Sequence, residues 1–396
     1  MISQRQLFLQ HVGQTSDFPL QLEIERAEGI YMYDIHDKEY IDLTSGVSVS
    51  NVGHRHPQVV DAIKKQVDKY LHLMVYGEYI QSPQVAYASK LTSLLPESLS
   101  SVYFVNSGSE AIEGALKLAK RFTGRSEIIA FKNAYHGSTH GSLSVMGNEM
   151  FKNSFRPLLP DIRFLEFNNF SDIEKISSKT ACVLVEPVQG EAGIIIPGLN
   201  FLDKLRKKCS ETKTILIFDE IQTGFGRTGE LFAFMKYGVT PDILTVAKGM
   251  GGGMPLGAFI SSNRIMGSLK TNPILGHITT FGGHPVSCAA AIASLDVILN
   301  EKLIQSIPAK ENLFRKLLKH KEIKEIRGTG LFLAVELENF KQVKKVIDIA
   351  ITKGLVTDWF LFHDRAFRIS PPLTISNSQI EKACSILIDS IDESIK

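Results

Sequence analysis

The chain has 396 residues, 44% of them hydrophobic and 22% charged, a soluble-globular balance that argues against a disordered or membrane-embedded protein. Its formal net charge of +2, from 44 basic and 42 acidic residues with no basic block, gives no electrostatic reason to expect nucleic acid or an anionic membrane surface. The length exceeds what one hydrophobic core usually supports, so a large and a small domain are expected. Met1 to Gln6 lacks a basic region followed by a long apolar stretch. No apolar run reaches the roughly 18 residues that a membrane helix needs. Cys182, Cys209, Cys288 and Cys384 are far apart and form no pair with metal-ligand spacing, so they read as small buried hydrophobes of a cytoplasmic protein without a metal.

Residues 1–57 read as an N-terminal arm, part of the small domain. Short extended patches at 29–34 and 40–43 alternate with charged turns and lead to Gly53-His54-Arg55-His56-Pro57. Residues 58–290 read as the large α/β domain. Apolar runs at 102–105, 127–131, 181–185, 214–218 and 243–247 alternate with helix-like segments, the pattern of a mostly parallel sheet covered on both faces. Such sheets bind ligands at the carboxyl ends of their strands. Residues 291–396 read as a C-terminal α+β domain, with helices around 339–353 and 377–393 flanking an extended run at 328–336; another helix at 285–299 leads into it.

Residues rich in chemistry cluster at the predicted strand ends. Asn106-Ser107-Gly108-Ser109-Glu110 follows a strand and opens a helix. Free N–H groups at such a helix start suit a phosphate, although by itself the pattern is plain capping, with Ser107 and Glu110 fitting a capping box. Tyr135, after the next strand, is placed to stack on a ring, or else belongs to the core. Asp219 ends an all-apolar strand, where a carboxylate needs a cationic or hydrogen-bonding partner. Ile221 and Gln222 follow it, and Lys248 sits at a strand-to-loop junction before the mobile glycine-rich turn Gly249-Met250-Gly251-Gly252-Gly253. A lysine so placed can form a Schiff base with an aldehyde, and a carboxylate on a neighbouring strand end can keep a pyridinium nitrogen protonated, although singly the lysine reads as a solvated turn residue and Asp219 with Glu220 as caps of the turn 223–229. Together they point to pyridoxal phosphate.

In their order and wording these segments resemble the class III aminotransferases of pyridoxal phosphate, particularly the acetylornithine and ornithine aminotransferase group. The likeness extends over nearly the whole chain, through 53–57, 106–110, 186–193, 218–229, 240–242, Lys248, 279–285 and 368–373. It implies a fold type I transferase with a large, mostly parallel-sheet α/β domain and a smaller α+β domain. It also implies that Lys248 carries the Schiff base, Asp219 pairs with the pyridinium nitrogen, and Gly108 and Ser109 bind the phosphate. Tyr135 and Ile221 would pack on the ring and Gln222 contact the phenolic oxygen, with Ser107, His136 and Glu186 completing the cofactor set. Thr280 is similar to the threonine that reaches the phosphate from a second subunit, so a homodimer with shared active sites is implied.

On the substrate side, the resemblance gives Arg368 the α-carboxylate of an amino acid or oxo acid. Glu191 pairs with that arginine when an ω-amine brings no carboxylate, and Thr279 and Ser138 are further contacts. The implied reaction is ping-pong transfer of an amino group from an ω-amine or amino acid to an oxo acid such as 2-oxoglutarate or pyruvate. The alternative is an aminomutase or decarboxylase on the same fold; Glu191 with Arg368 argues against the aminomutase. Two positions depart from the pattern. Ser138 stands where the acetylornithine, ornithine and 4-aminobutyrate enzymes place a carboxylate-gripping arginine, and a serine supplies no bidentate charged fork. Asp17 stands where the ornithine enzyme has a substrate-contacting tyrosine.

Overall fold

The computed structural model describes residues 2–396. Its central sheet has seven strands in the order Ser101–Val105, Gly257–Ser261, Ile243–Val246, Ile215–Asp219, Thr180–Val185, Glu127–Phe131, Ile162–Leu165. From Ile243–Val246 to Ile162–Leu165 every neighbouring pair is parallel, whereas Gly257–Ser261 runs antiparallel to both of its neighbours. Three central strands, Thr180–Val185, Ile215–Asp219 and Ile243–Val246, are buried along their whole length, which explains their unbroken apolar sequences. Two strands were not anticipated from sequence. Ile162–Leu165 is an edge strand that exposes Arg163, so its apolar run is interrupted. Gly257–Ser261 is the immediate antiparallel return after the lysine turn.

Helix Gly108–Thr123 lies against this sheet. Ser107 caps its start, Gly124 at φ 67° ends it, and its buried face of Ala111, Ile112, Ala115, Leu116, Leu118 and Ala119 keeps helical spacing. Burying side chains such as Ile112 and Leu118 contributes roughly 1.5–3 kcal/mol each. Close packing requires glycine at Gly114, where a Cβ would sit 2.2 Å from the Phe259 ring.

Strands Ile24–Glu28, Tyr31–Asp34 and Glu39–Asp42 form an antiparallel meander. Leu355–Val356, from far along the chain, adds to it in parallel, opposite Ile41 and Asp42. A third sheet, Glu325–Thr329, Phe332–Glu336, His363–Ile369 and Trp359–Phe360, is antiparallel throughout, so the single run read at 328–336 is the turn and second strand of a hairpin. Helices Pro285–Asn300, Phe340–Thr352 and Asn377–Ser394 agree with the sequence pattern. Two others escaped it. Gln4–His11 buries no residue and so has no apolar periodicity, and Leu303–Leu317 carries Pro308 inside it. No helix among the described residues is long and apolar enough to cross a membrane.

Arg227 joins these parts. It is fully buried; Nη1 donates to the carbonyls of Leu331 (2.9 Å) and Pro371 (2.6 Å), and Nη2 to Ser45 Oγ (3.2 Å) and Asn51 Oδ1 (2.6 Å). Burial lowers its pKa to about 9. Asn51 in turn donates to the carbonyl of Phe225 (2.9 Å) and lies where a Cβ on Gly249 would approach its Nδ2 to 2.6 Å, so the network ends against the turn that carries Lys248.

Candidate active site

A cleft of about 450 Å³ opens at the carboxyl ends of the parallel strands. Asn106, Ser107, Gly108, Ser109, Tyr135, His136, Glu186, Asp219, Ile221, Gln222 and Lys248, from five separate strand ends, all line it. Met254, Pro255 and Leu256, the descent from the lysine turn into the return strand, also line it and were not anticipated, because nothing in their chemistry marks them.

Lys248 follows a strand that ends in buried Val246 and Ala247 and begins the short 3-10 turn Lys248–Gly251. Its backbone is left-handed (φ 49°), a conformation that a side-chain-bearing residue holds only when its surroundings impose it. Those surroundings are tight. Besides Asn51 against Gly249, a Cβ on Gly252 would lie 2.9 Å from Ser294 Cβ. Gly249 and Gly252 are thus packed against these side chains, whereas Gly253, at the end of the turn, is exposed with open space around it. Burial pulls the Lys248 ammonium below its ordinary value. Glu191, Asp219 and Glu186 favour the charge, and Arg368 opposes it.

Asp219 is 4% exposed at the end of its strand. Its Oδ1 accepts from the N–H of Ile221 (3.0 Å), and its Oδ2 lies 2.7 Å from His136 Nδ1. Ionised Asp219 can only accept, so His136 donates from Nδ1, and Nε2 is left buried without a partner. Glu186 receives the N–H of Tyr135 (3.0 Å) and of Gly190 (2.9 Å) and thereby fastens two loops of the cleft. Burial pushes its carboxyl up to about 7, with the Asp219 charge adding and His136 opposing. The next carboxylate along, Glu220, faces away. It accepts from Thr223 Oγ1 (2.6 Å) and from the N–H groups of Ala233 (2.7 Å) and Phe234 (2.6 Å) at the start of helix Ala233–Tyr237, and burial raises it to about 7.

At the helix end of the cleft, Ser107 Oγ accepts from the N–H of Glu110 (3.2 Å), as expected of a cap. The reciprocal half of the capping box is absent. Glu110 Oε2 instead receives the N–H (2.7 Å) and side-chain amide (2.9 Å) of Asn106, one residue earlier. Gly108 and Ser109, in the first turn, have no intrahelical acceptor for their N–H groups. A Cβ on Gly108 would lie 2.9 Å from Ile221 Cδ1, and one on Gly137 2.2 Å from Ser109 Oγ, so both glycines are needed for the loops to close here.

Glu191 and Arg368 pair at 2.9 and 3.1 Å through Arg368 Nη2. Glu191 Oε2 also receives the N–H of Leu361 (3.1 Å). Burial alone would raise the Glu191 carboxyl, but the Arg368 guanidinium beside it more than offsets this and holds it below the usual range. Thr279 and Thr280 are outside the cleft. Thr279 Oγ1 receives the Asn106 amide at 3.2 Å, and Thr280 is exposed. Ser138 is also exposed at the rim, its Oγ 3.3 Å from Tyr135 Oη, and Asp17 lies in a shallow surface groove with Leu9 and Gln14.

The donor set fits pyridoxal phosphate. Gln222 Nε2 is buried with no acceptor, which suits a phenolic oxygen, and the free N–H groups of a helix N-terminus suit a phosphate. Asp219 is a buried acceptor for a ring N–H, and Lys248 is an amine of depressed pKa.

Comparison with known proteins agrees. Residues 12–391 match the family Aminotransferase class-III. The acetylornithine aminotransferase of Methanopyrus kandleri is 38% identical over 384 residues, covering 96% of this chain and 96% of that protein. The crystal structure of the ornithine aminotransferase from Toxoplasma gondii superposes with a TM-score of 0.90 at 29% identity, covering 98% of this chain and 93% of that one. An amine transaminase from an uncultivated Pseudomonas species, solved in its pyridoxal-phosphate-bound form, superposes with a TM-score of 0.87 at 27% identity over 97% of each chain. The chain therefore belongs to the class III aminotransferases, enzymes of fold type I that transfer amino groups with pyridoxal phosphate.

Proposed function

We propose that this aminotransferase takes an amino group from a primary amine or amino acid and hands it to an oxo acid such as 2-oxoglutarate or pyruvate, in two successive half-reactions at Lys248. The observation that carries this reading is the convergence of Lys248, Asp219 and Gln222 on one cleft with free helix N–H groups at its end. Bound pyridoxal phosphate supplies an aldehyde carbon that accepts the amino group and a ring that takes up the electrons released at the substrate carbon. Asp219, fixed by Ile221 and His136, would hold the proton of the ring nitrogen. Gln222 Nε2 would donate to the phenolic oxygen, Tyr135 and Ile221 would enclose the ring, and Gly108 and Ser109 would donate to the phosphate. The Lys248 amine, its charge disfavoured by burial, would serve as the base that takes the proton from the substrate carbon and as the acid that gives it back. Arg368 receives the carboxylate of the oxo acid once Glu191 moves aside. Purified holoenzyme is expected to lose its visible absorbance on adding an amine donor and to regain it on adding an oxo acid. Turnover of a donor with no dependence on an oxo acid would refute the transfer.

We further assign residues 1–57 and 291–396 to a small domain and 58–290 to a large one, a division supported by the pairing of Glu39–Asp42 with Leu355–Val356. The assembly is a homodimer in which Thr280 completes the partner's phosphate site. In support, Thr280 is exposed in the single chain beside Ile274, Ile278 and Phe281, which are 77%, 52% and 54% exposed. Sedimentation is expected to give twice the 43.9 kDa chain mass, and a monomer at that mass would contradict the shared site. Four buried, unpaired cysteines support a reducing, cytoplasmic setting.

A further inference from the structure

Arg368 is held by more than the pair with Glu191. Its Nε donates to Asp358 Oδ1 at 2.9 Å, its backbone N–H to the Asp358 carbonyl at 2.8 Å, and its guanidinium lies 4.6 Å over the Phe360 ring. One buried cation thus faces two carboxylates, and only Nη1, buried and unpartnered, remains to be offered to a ligand. This cluster lies behind the cleft lining: Gly190, the residue before Glu191, gives its N–H to Glu186 (2.9 Å), and a Cβ on it would lie 2.8 Å from Gln222 Oε1. A substrate carboxylate beside the reacting carbon must therefore displace Glu191 and settle on a guanidinium that Asp358 already half neutralises. Like-charge repulsion from Asp358 acts against it.

Among the described residues of the single chain, the cleft lining offers no second cation to compensate. Lys248 is the one lysine or arginine among its lining residues. Next to Tyr135, which lines the cleft, an aromatic wall extends away from it. The Tyr135 and Phe362 ring centres are 6.4 Å apart, and Phe151 meets Phe362 edge-on at 5.2 Å. Phe362 is tied to the carboxylate cluster by its N–H to the Glu191 carbonyl (3.0 Å), and Ser138, neutral, ends the wall at Tyr135 Oη.

We propose that Asp358 is a specificity-determining residue of this site. By clamping Arg368 and opposing a second negative charge, it weakens the hold on any carboxylate beside the reacting carbon, that of the oxo acid included, and turns the donor half-reaction toward primary amines with an apolar body and away from donors with a carboxylate beside the amine. This inference rests on the amino-transfer reading above.

The test compares three donors of one carbon skeleton on the holoenzyme, followed by loss of visible absorbance: pentylamine, norleucine, which adds a carboxylate beside the amine, and 6-aminohexanoate, which adds one at the far end. The wild-type enzyme is expected to bind pentylamine about tenfold more tightly than either carboxylate-bearing analogue. Asp358→Asn, which keeps the shape and an acceptor for Arg368 Nε, is expected to narrow the gap to norleucine roughly tenfold while leaving that to 6-aminohexanoate in place. A residue that merely supported the fold would weaken all three alike. Wild-type preference for norleucine or 6-aminohexanoate, or an Asp358→Asn variant that moves the three donors together, overturns the proposal. So does loss of absorbance with L-alanine but with none of the three. If none of the four discharges the absorbance, it is the amino-transfer reading that fails.

Discussion

Replacing Lys248 with alanine is expected to remove the visible absorbance that pyridoxal phosphate gives the wild-type enzyme and to slow amino transfer by about four orders of magnitude or more. The side chain is both covalent anchor and proton carrier, and general acid–base catalysis alone contributes up to about 10⁴-fold. Its position cannot be taken over by a neighbour. Among the described residues no other lysine lines the cleft, and the left-handed backbone at φ 49° aims this one from a turn whose Gly249 and Gly252 pack against Asn51 and Ser294. Alanine meets the same backbone cost at this position as lysine, so the variant is expected to fold and to keep the cofactor's phosphate site. Single-turnover rates measured spectroscopically would decide it. Transfer within about a hundredfold of wild type would rule out the lysine as proton carrier.

Asp219→Asn is expected to lower the transfer rate by about 10²–10³-fold, the scale of removing one preorganised electrostatic contact. The amide oxygen still accepts from Ile221, and the amide NH2 replaces the oxygen facing His136 Nδ1, which must turn from donor to acceptor, so the thermal midpoint should fall only modestly. What is lost is the negative charge, 4% exposed, that favours a proton on the ring nitrogen. Cofactor content by absorbance after denaturation, set beside the rate, separates the two effects. A variant that loses cofactor and stability together but retains its rate per bound cofactor would show the carboxylate to be structural only.

The sequence carried the central strands because a parallel strand buried on both faces has to be apolar without interruption, as Thr180–Val185 and Ile215–Asp219 are. It carried the cleft lining for a related reason. Polar residues that directly follow such strands collect at one edge of the sheet, which is how Tyr135, Glu186, Asp219 and Lys248 meet. What it did not carry depends on pairings with no local pattern. Asp358 reaches Arg368 only because Trp359–Phe360 folds back on His363–Ile369, and nothing in the word Thr357-Asp358-Trp359 announces a partner. The diversion of Glu110 from Ser107 to Asn106 is of the same kind, a contest between two neighbouring donors that geometry settles. Helix Gln4–His11 was illegible because it buries nothing, so no periodicity was required of it.

The guanidinium of Arg227 has a bearing on how the chain reaches this state. Its four acceptors come from the arm (Ser45, Asn51), from the third sheet's hairpin (Leu331) and from the segment after the last strand (Pro371), while the arginine itself follows the Asp219 strand. Packing around Arg227 with some of these acceptors missing would bury a positive charge with donors unmet, which costs several kcal/mol. Compact states in which one end of the chain has docked without the other are penalised on that account. The same contact that seats the lysine turn thus works as a completeness check, admitting the folded state only when the first and last parts of the polypeptide have arrived together.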